Sequence, residues 1–286
     1  MRLVTFRHDD RERIGVQLES NILDLSRVSA EIPTDMKAFL SLGDSALAQT
    51  REALASVRES WLLAESDVTL LAPLPRPDKI ICIGHNYQGH IGIGKTEVPE
   101  HPNLFCKTVN TITGHNYPIV IPPATSQVDF EAELMAVIGK RSYRVTEEEA
   151  KTCIAGYTIF NDVSARDYQK RTSQWMLGKS FDTFGPMGQA LVTTDEVSDP
   201  YALDLELTVN GAPQQRVNTK DMIFSVPYLI SYISQVMTLE IGDVIATGTP
   251  SKLPEAAEQK RFLQADDVVE IKIEKLGVLR NTVMSF

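Results

Sequence analysis

The sequence predicts a mixed, β-rich α+β fold in two parts: a small α+β domain over residues 1–74 and a larger, mostly β domain over residues 75–286. Three observations predict it. Short segments in which polar and apolar residues alternate recur along the chain, the pattern of half-buried strands. Helical periodicity is confined to a few brief stretches. The connector Leu71-Ala72-Pro73-Leu74-Pro75-Arg76-Pro77 sets prolines at alternate positions, which suits extended backbone and disfavours helix.

From the N-terminus, residues 3–6 and 14–25 read as strands, the second alternating through Ile14, Val16 and Leu18. Helical patterns follow over 35–42 and 45–59. Asp44 is the expected N-cap of the second, with Leu47, Leu54 and Val57 near one face. Beyond the connector, Thr146-Glu147-Glu148-Glu149 forms a capping box, opening a short helix that Gly156 would close. Leu203, Leu205, Leu207 and Val209 alternate into Asn210-Gly211, a hairpin signal. Ser225 with Pro227 opens a helix running to about Met237. Val269, Ile271 and Ile273 alternate before a turn near 275–277.

A net charge of −10 is the opposite of what a nucleic-acid partner selects. Cys82, Cys106 and Cys153 are widely spaced, with no C-x-x-C pair, and read as buried, reduced thiols. The opening MRLVTFRHDD lacks the apolar core of a signal peptide, and no run approaches the roughly 18 apolar residues of a membrane span. A cytoplasmic protein without nucleic-acid or membrane partners is expected.

Gly89-His90-Ile91-Gly92-Ile93-Gly94-Lys95-Thr96 fits the phosphate-binding pattern G-x-x-x-x-G-K-[ST] letter for letter. The context fails it. Such a loop must run into a helix whose N-terminus faces the phosphates, but Glu97-Val98-Pro99-Glu100-His101-Pro102 follows, with two prolines. The β-rich remainder also lacks alternating strand–helix units. No nucleotide is expected here.

The stronger chemical signal is Val128-Asp129-Phe130-Glu131-Ala132-Glu133-Leu134. In a strand, Asp129, Glu131 and Glu133 share a face. Acids crowded into apolar sequence are costly unless a positive group sits among them, although an edge strand's solvated face has the same spacing. Asp162 ends another apolar run and offers a fourth carboxylate. All-oxygen ligation selects a hard cation, Mg²⁺, Mn²⁺ or Ca²⁺. Nearby, Arg166 and Lys179 are either surface charges or anchors for an anionic substrate.

These segments together resemble the fumarylacetoacetate hydrolase family, in order from about Leu71 to Pro250. The match includes Asn86-Tyr87-x-x-His90, Phe105-Cys106-Lys107, Asp129-Phe130-Glu131-Ala132-Glu133-Leu134 and Asn161-Asp162-Val163-Ser164-Ala165-Arg166-Asp167. It continues through Gln174-Trp175, Gly178-Lys179-Ser180-Phe181-Asp182 and Gly242-Asp243-Val244-Ile245-Ala246-Thr247-Gly248-Thr249-Pro250. The resemblance implies a β-sandwich roll behind a small N-terminal domain, and a homodimer. It implies Glu131, Glu133 and Asp162 as ligands of Mg²⁺ or Mn²⁺, with Asp129 supporting them. Arg166, Gln169 and Lys179 would contact oxygens of a small anionic 2-oxo acid, Thr249 would lie in the glycine-rich wall, and Lys107 and Tyr87 would line the pocket. His90 would be the catalytic base, its reference pKa of about 6.5 suiting proton transfer near neutrality, while Lys179 would neutralise an oxyanion.

The chain departs from the family pattern at Ile93, where hydrolytic and decarboxylating members commonly carry a glutamate that polarises the histidine. Isoleucine accepts no hydrogen bond, so water activation loses its partner while enolisation does not. The first functional expectation is metal-dependent C–C hydrolysis of an acylpyruvate-like 2,4-dioxo acid. The alternatives are a decarboxylase or isomerase of a related 2-oxo acid, and a non-catalytic metabolite-binding homologue. The glycines of 89–94 suggest a lid carrying His90.

Overall fold

A computed structural model describes residues 1–88, 98–259 and 261–286. It is β-rich with short helices, as the sequence predicts. One mixed sheet of eleven strands runs in the order Leu62–Ala64, Asn21–Asp24, Arg11–Gln17, Arg2–His8, Leu191–Thr193, Ile154–Asn161, Ala132–Ile138, Val244–Ala246, Ile80–Gly84 and Asn103–Lys107, with Thr69–Leu70 beside Arg2–His8. This sheet joins residues from both sides of position 74, because Arg2–His8 pairs with Leu191–Thr193. A second sheet of five strands runs Ala212–Asn218, Asp204–Val209, Val268–Ile273, Gly277–Ser285 and Ile119–Ile121.

Ala132–Ile138 is buried at every position. Side chains alternate across a strand, and here both faces are covered. Leu134, Ala136 and Ile138 enter a core with Leu205, Leu207 and Ile271 of the second sheet and Leu229 and Ile233 of the helix Val226–Ser234. Met135 and Val137 enter a separate core with Leu3, Met36, Phe39 and Leu40. Two covered faces explain why residues 134–138 read as an unbroken apolar run. Each large side chain so buried contributes roughly 1.5–3 kcal/mol.

Local signals hold with some corrections. The expected strand over 14–25 is two antiparallel strands, Arg11–Gln17 and Asn21–Asp24. The helix Asp44–Ala55 is capped by Gly43 at φ +59°, so Asp44 lies inside its first turn, where its charge favours the positive end. The Thr146 capping box opens the helix Glu147–Lys151, but that helix ends at Thr152. Gly156 instead lies in the strand Ile154–Asn161, where an added Cβ would sit 2.2 Å from the Val192 carbonyl oxygen. Cys82 and Cys153 are buried free thiols as expected, whereas Cys106 is exposed. The Asn210-Gly211 hairpin forms as predicted, and Ser225 caps the expected helix, which ends at Ser234 rather than near Met237.

Candidate metal and substrate site

The acidic segment is not one strand. Val128–Asp129 pairs with Ser164–Ala165, while Ala132–Ile138 pairs with Ile154–Asn161. The break at Phe130-Glu131 turns Asp129 toward different partners from Glu133. Ala132 stands opposite Asn161, which brings Asp162 out beside Glu131. The Asp162 N–H donates to the Glu131 carbonyl (2.9 Å), and the Glu131 N–H donates to Asn161 Oδ1 (3.0 Å). Glu131, Glu133 and Asp162 consequently present ligand oxygens within 4.8 Å of one another.

Three cations answer these acids. Lys179 Nζ lies 2.7 Å from Glu131 Oε2 and 2.6 Å from Asp162 Oδ2, and the lysine is only 1% exposed. Lys107 Nζ donates to Asp162 Oδ1 (2.6 Å) and to the Val163 carbonyl (3.0 Å). Arg166 Nη1 lies 2.6 Å from Glu131 Oε1, and its Nε donates to Asp129 Oδ2 (2.9 Å). Burial opposes the Lys179 charge, yet Asp162 and Glu131 outweigh it and hold the ammonium above its ordinary pKa. For Lys107 burial prevails and lowers it. Burial also opposes the Glu131 charge, but Lys179 and Arg166 carry that carboxyl well below the usual range. Glu133 goes the other way: burial, then the charges of Asp162 and Glu131, push it well above. Among the described residues Glu133 has no ion pair, and the Gly248 N–H donates to its Oε2 (2.8 Å).

Of the other sequence-predicted residues, Gln169 accepts from Arg166 Nη1 (2.9 Å), so the two converge. Thr249 is buried beside Gly248, whose φ of +98° and close approach to Asn86 Cβ (2.9 Å from an added Cβ) demand glycine. Tyr87 is fully buried, and burial followed by the nearby Glu133 charge pushes its phenol up. Its neighbour Asn86 ties this segment down, donating from Nδ2 to the Phe224 and Thr247 carbonyls and accepting from the Phe224 N–H. His90, Ile93 and the glycines of the suggested lid lie outside the described residues.

Two contributors escaped sequence reasoning. Lys252 Nζ donates to Asp129 Oδ1 (2.7 Å) from a loop 123 residues away in sequence, and nothing local announces that pairing. Gln215 is buried between the acidic segment and the Thr249 loop. Its only trace is the Gln214-Gln215 doublet, which interrupts alternation after the hairpin turn.

Residues 79–284 match the family model described as fumarylacetoacetate (FAA) hydrolase C-terminal. The chain belongs to the fumarylacetoacetate hydrolase family. Over 99% of its length it is 44% identical to a Xenopus laevis protein named oxaloacetate tautomerase, mitochondrial, and covers 90% of that protein. Among solved structures it resembles a fumarylacetoacetate hydrolase from Exiguobacterium antarcticum, with a TM-score of 0.86, 34% identity and full coverage of both chains. It also resembles maleylpyruvate hydrolase from Sphingobium sp. SYK-6 in complex with manganese(II) and pyruvate, with a TM-score of 0.83, 30% identity, and coverage of 100% of this chain and 99% of that one.

The family's enzymes thus include hydrolases and a tautomerase, and the residues present here fit a divalent cation on their own terms. Three buried carboxylates offer only oxygen donors, the preference of Mg²⁺ and Mn²⁺. Glu133 in particular is an acid with two like charges beside it and no cation of its own among the described residues, an arrangement that a bound cation would relieve. No helix among the described residues is long and apolar enough to cross a membrane.

Proposed function

We propose that this family member interconverts the keto and enol forms of a small 2-oxo diacid such as oxaloacetate. The observation that carries the reading is the convergence of Lys107, Lys179 and Arg166 on one buried acidic site. Moving a proton from C3 of a 2-oxo acid leaves negative charge on the C2 oxygen, and fixed cations in a water-poor setting stabilise such charge far better than water does. Lys179, held protonated by its two acids, is suited to face that oxygen. The Arg166 guanidinium, braced by Asp129 and Gln169, is suited to a carboxylate of the substrate. His90 is the candidate carrier of the C3 proton. A divalent cation bound by Glu131, Glu133 and Asp162, Mg²⁺ or Mn²⁺, would supply Lewis-acid stabilisation of the enolate. Ile93, in place of an acid that would polarise His90 to activate water, favours proton movement over hydrolysis. The name of the Xenopus laevis relative agrees with this reading.

A second reading, hydrolysis of a 2,4-dioxo acid, is favoured by the likeness to maleylpyruvate hydrolase. We place either activity in a cytoplasmic homodimer that binds neither nucleotide, nucleic acid nor membrane. One assay separates the readings. With Mg²⁺ or Mn²⁺, and again with EDTA, the ultraviolet absorbance of enol-oxaloacetate is followed alongside pyruvate and carbon dioxide release, and acylpyruvates are tested in parallel. Metal-dependent loss of the enol without pyruvate is the expected result. Pyruvate from acylpyruvates would establish the hydrolase instead, carbon dioxide from oxaloacetate a decarboxylase, and Mn²⁺ binding without turnover a metabolite-binding homologue.

A further inference from the structure

The strand Ala212–Asn218 belongs to the second sheet, yet it sends one side chain to the acidic site. Inward and outward positions alternate along a regular strand. Here Gln214 and Gln215 are both buried, and the pairing slips between Leu207, which faces Gln215, and Thr208, which faces Pro213. Gln214 is the extra residue of a β-bulge, a device that re-aims side chains. The residue it re-aims, Gln215, is 2% exposed and uses both ends of its carboxamide. Its Oε1 accepts the Ala132 N–H (3.0 Å), and its Nε2 donates to Thr249 Oγ1 (2.8 Å) and the Pro250 carbonyl (2.6 Å). Ala132 is the residue between Glu131 and Glu133. Backbone contacts anchor the same loop to this strand: the Leu253 N–H donates to the Gln214 carbonyl (2.8 Å), and Gln215 bridges Lys252.

A buried carboxamide is costly unless fully hydrogen-bonded, and an apolar side chain would fill the space at lower risk. What the carboxamide adds is a fixed spacing between two functional segments. We propose that Gln215 is a positioning residue, tying the Thr249 wall to the peptide between the two glutamates so that bound anion and metal keep one separation. This rests on reading the site as one for a divalent cation and a 2-oxo acid, and is independent of which reaction follows.

The test uses the full chain loaded with Mn²⁺, with oxalate as a planar, chelating dicarboxylate probe. Gln215→Met keeps the length and removes the hydrogen bonds. Its Mn²⁺ affinity should stay within about threefold of wild type, because the three carboxylates are intact. Oxalate affinity, measured by calorimetry, should fall by about 10–100-fold, the usual cost of losing a supporting partner. In a Thr249→Val background the same substitution should cost less than in wild type, because the bond to Thr249 is already gone and only those to Pro250 and Ala132 remain to be lost. If Gln215→Met fails to fold by thermal melting, Gln215→Asn, one methylene short, should give the same loss. Wild-type oxalate binding in a folded variant, or costs that multiply in the double variant, would overturn the proposal. Failure of the wild type to tautomerise oxaloacetate while it binds oxalate would count against the proposed reaction alone. Failure of wild-type protein to bind Mn²⁺ and oxalate would remove the site and this inference together.

Discussion

Asp24 and Asp243 are as deeply buried as Glu133 and Asp162, but their surroundings differ in kind. Asp24 accepts from the Ser26 N–H and hydroxyl and from Arg13 Nη1 at 2.8 Å, capping a helix turn as it does so. Asp243 accepts from the Lys79 and Glu240 N–H groups at 3.0 and 2.7 Å and pairs with Lys79 Nζ at 2.7 Å. Each is a single acid saturated by N–H donors and by cations, Arg13 and Arg27 for Asp24 and Lys79 for Asp243. In the site three acids crowd together, and Glu133 is left with like charges and one described N–H donor. A saturated buried acid holds a fold, whereas an under-compensated one marks a candidate ligand site.

That contrast can be broken in three ways. The largest effect should come from Glu131→Ala, which removes an anionic ligand and strands Arg166 and Lys179. Metal-dependent turnover should drop on the order of 10³-fold or more; near-normal rates in metal-free protein would end the claim that these acids serve a cation. Next is Asp243→Ala, which leaves the Lys79 and Glu240 N–H groups without their acceptor and the half-buried Lys79 ammonium without its partner. It should cost about 1–3 kcal/mol in urea unfolding, the cost of buried donors left unsatisfied, while the rate per folded molecule survives. Lost activity at unchanged stability would erase the distinction between the two sets of acids.

The smallest effect has the opposite sign. Glu133→Gln keeps an acceptor for the Gly248 N–H and removes the need to protonate a crowded carboxyl on folding, so the metal-free protein should melt later by a few degrees, on the order of 1 kcal/mol, while metal binding is lost. The pH dependence follows from the raised pKa of Glu133. Between the ordinary carboxylate range and that raised value, the fold holds a proton that the unfolded chain releases. Metal-free stability should therefore fall as pH rises through this window, and Glu133→Gln should flatten the slope. Melting curves at several pH values, with and without the substitution, are the check; an unchanged slope would mean that Glu133 is already compensated.

Signals confined to neighbouring residues were legible in the sequence. The hairpin at Asn210-Gly211, the Thr146 capping box, the Ser225 cap and the i, i+2 spacing of Glu131 and Glu133 all depend on a few adjacent residues. What escaped is set by distant partners. The break after Asp129 exists because Ser164–Ala165 claims Val128–Asp129 while Asn161 claims Ala132. Gly156 reads as a helix terminator only until Val192 packs against it. Gln215 reaches the site only through a bulge that no local pattern announces, and Lys252 only through loop closure. Spacing alone left Arg166 and Lys179 open between surface charge and substrate anchor, and the expectation that they and Gln169 meet substrate came from the family motifs.

The strand carrying Glu133 is gripped by separate cores on its two faces. Its place is therefore set by oil on both sides and owes nothing to the charges at its end. An ion arriving there meets a frame already assembled, with little entropy left to surrender. On the proposed metal-dependent reading, a chelator would strip the chemistry and leave the architecture standing. The same grip makes the acids' geometry the hardest part of this molecule for substitution to retune, and the loops around them the easiest.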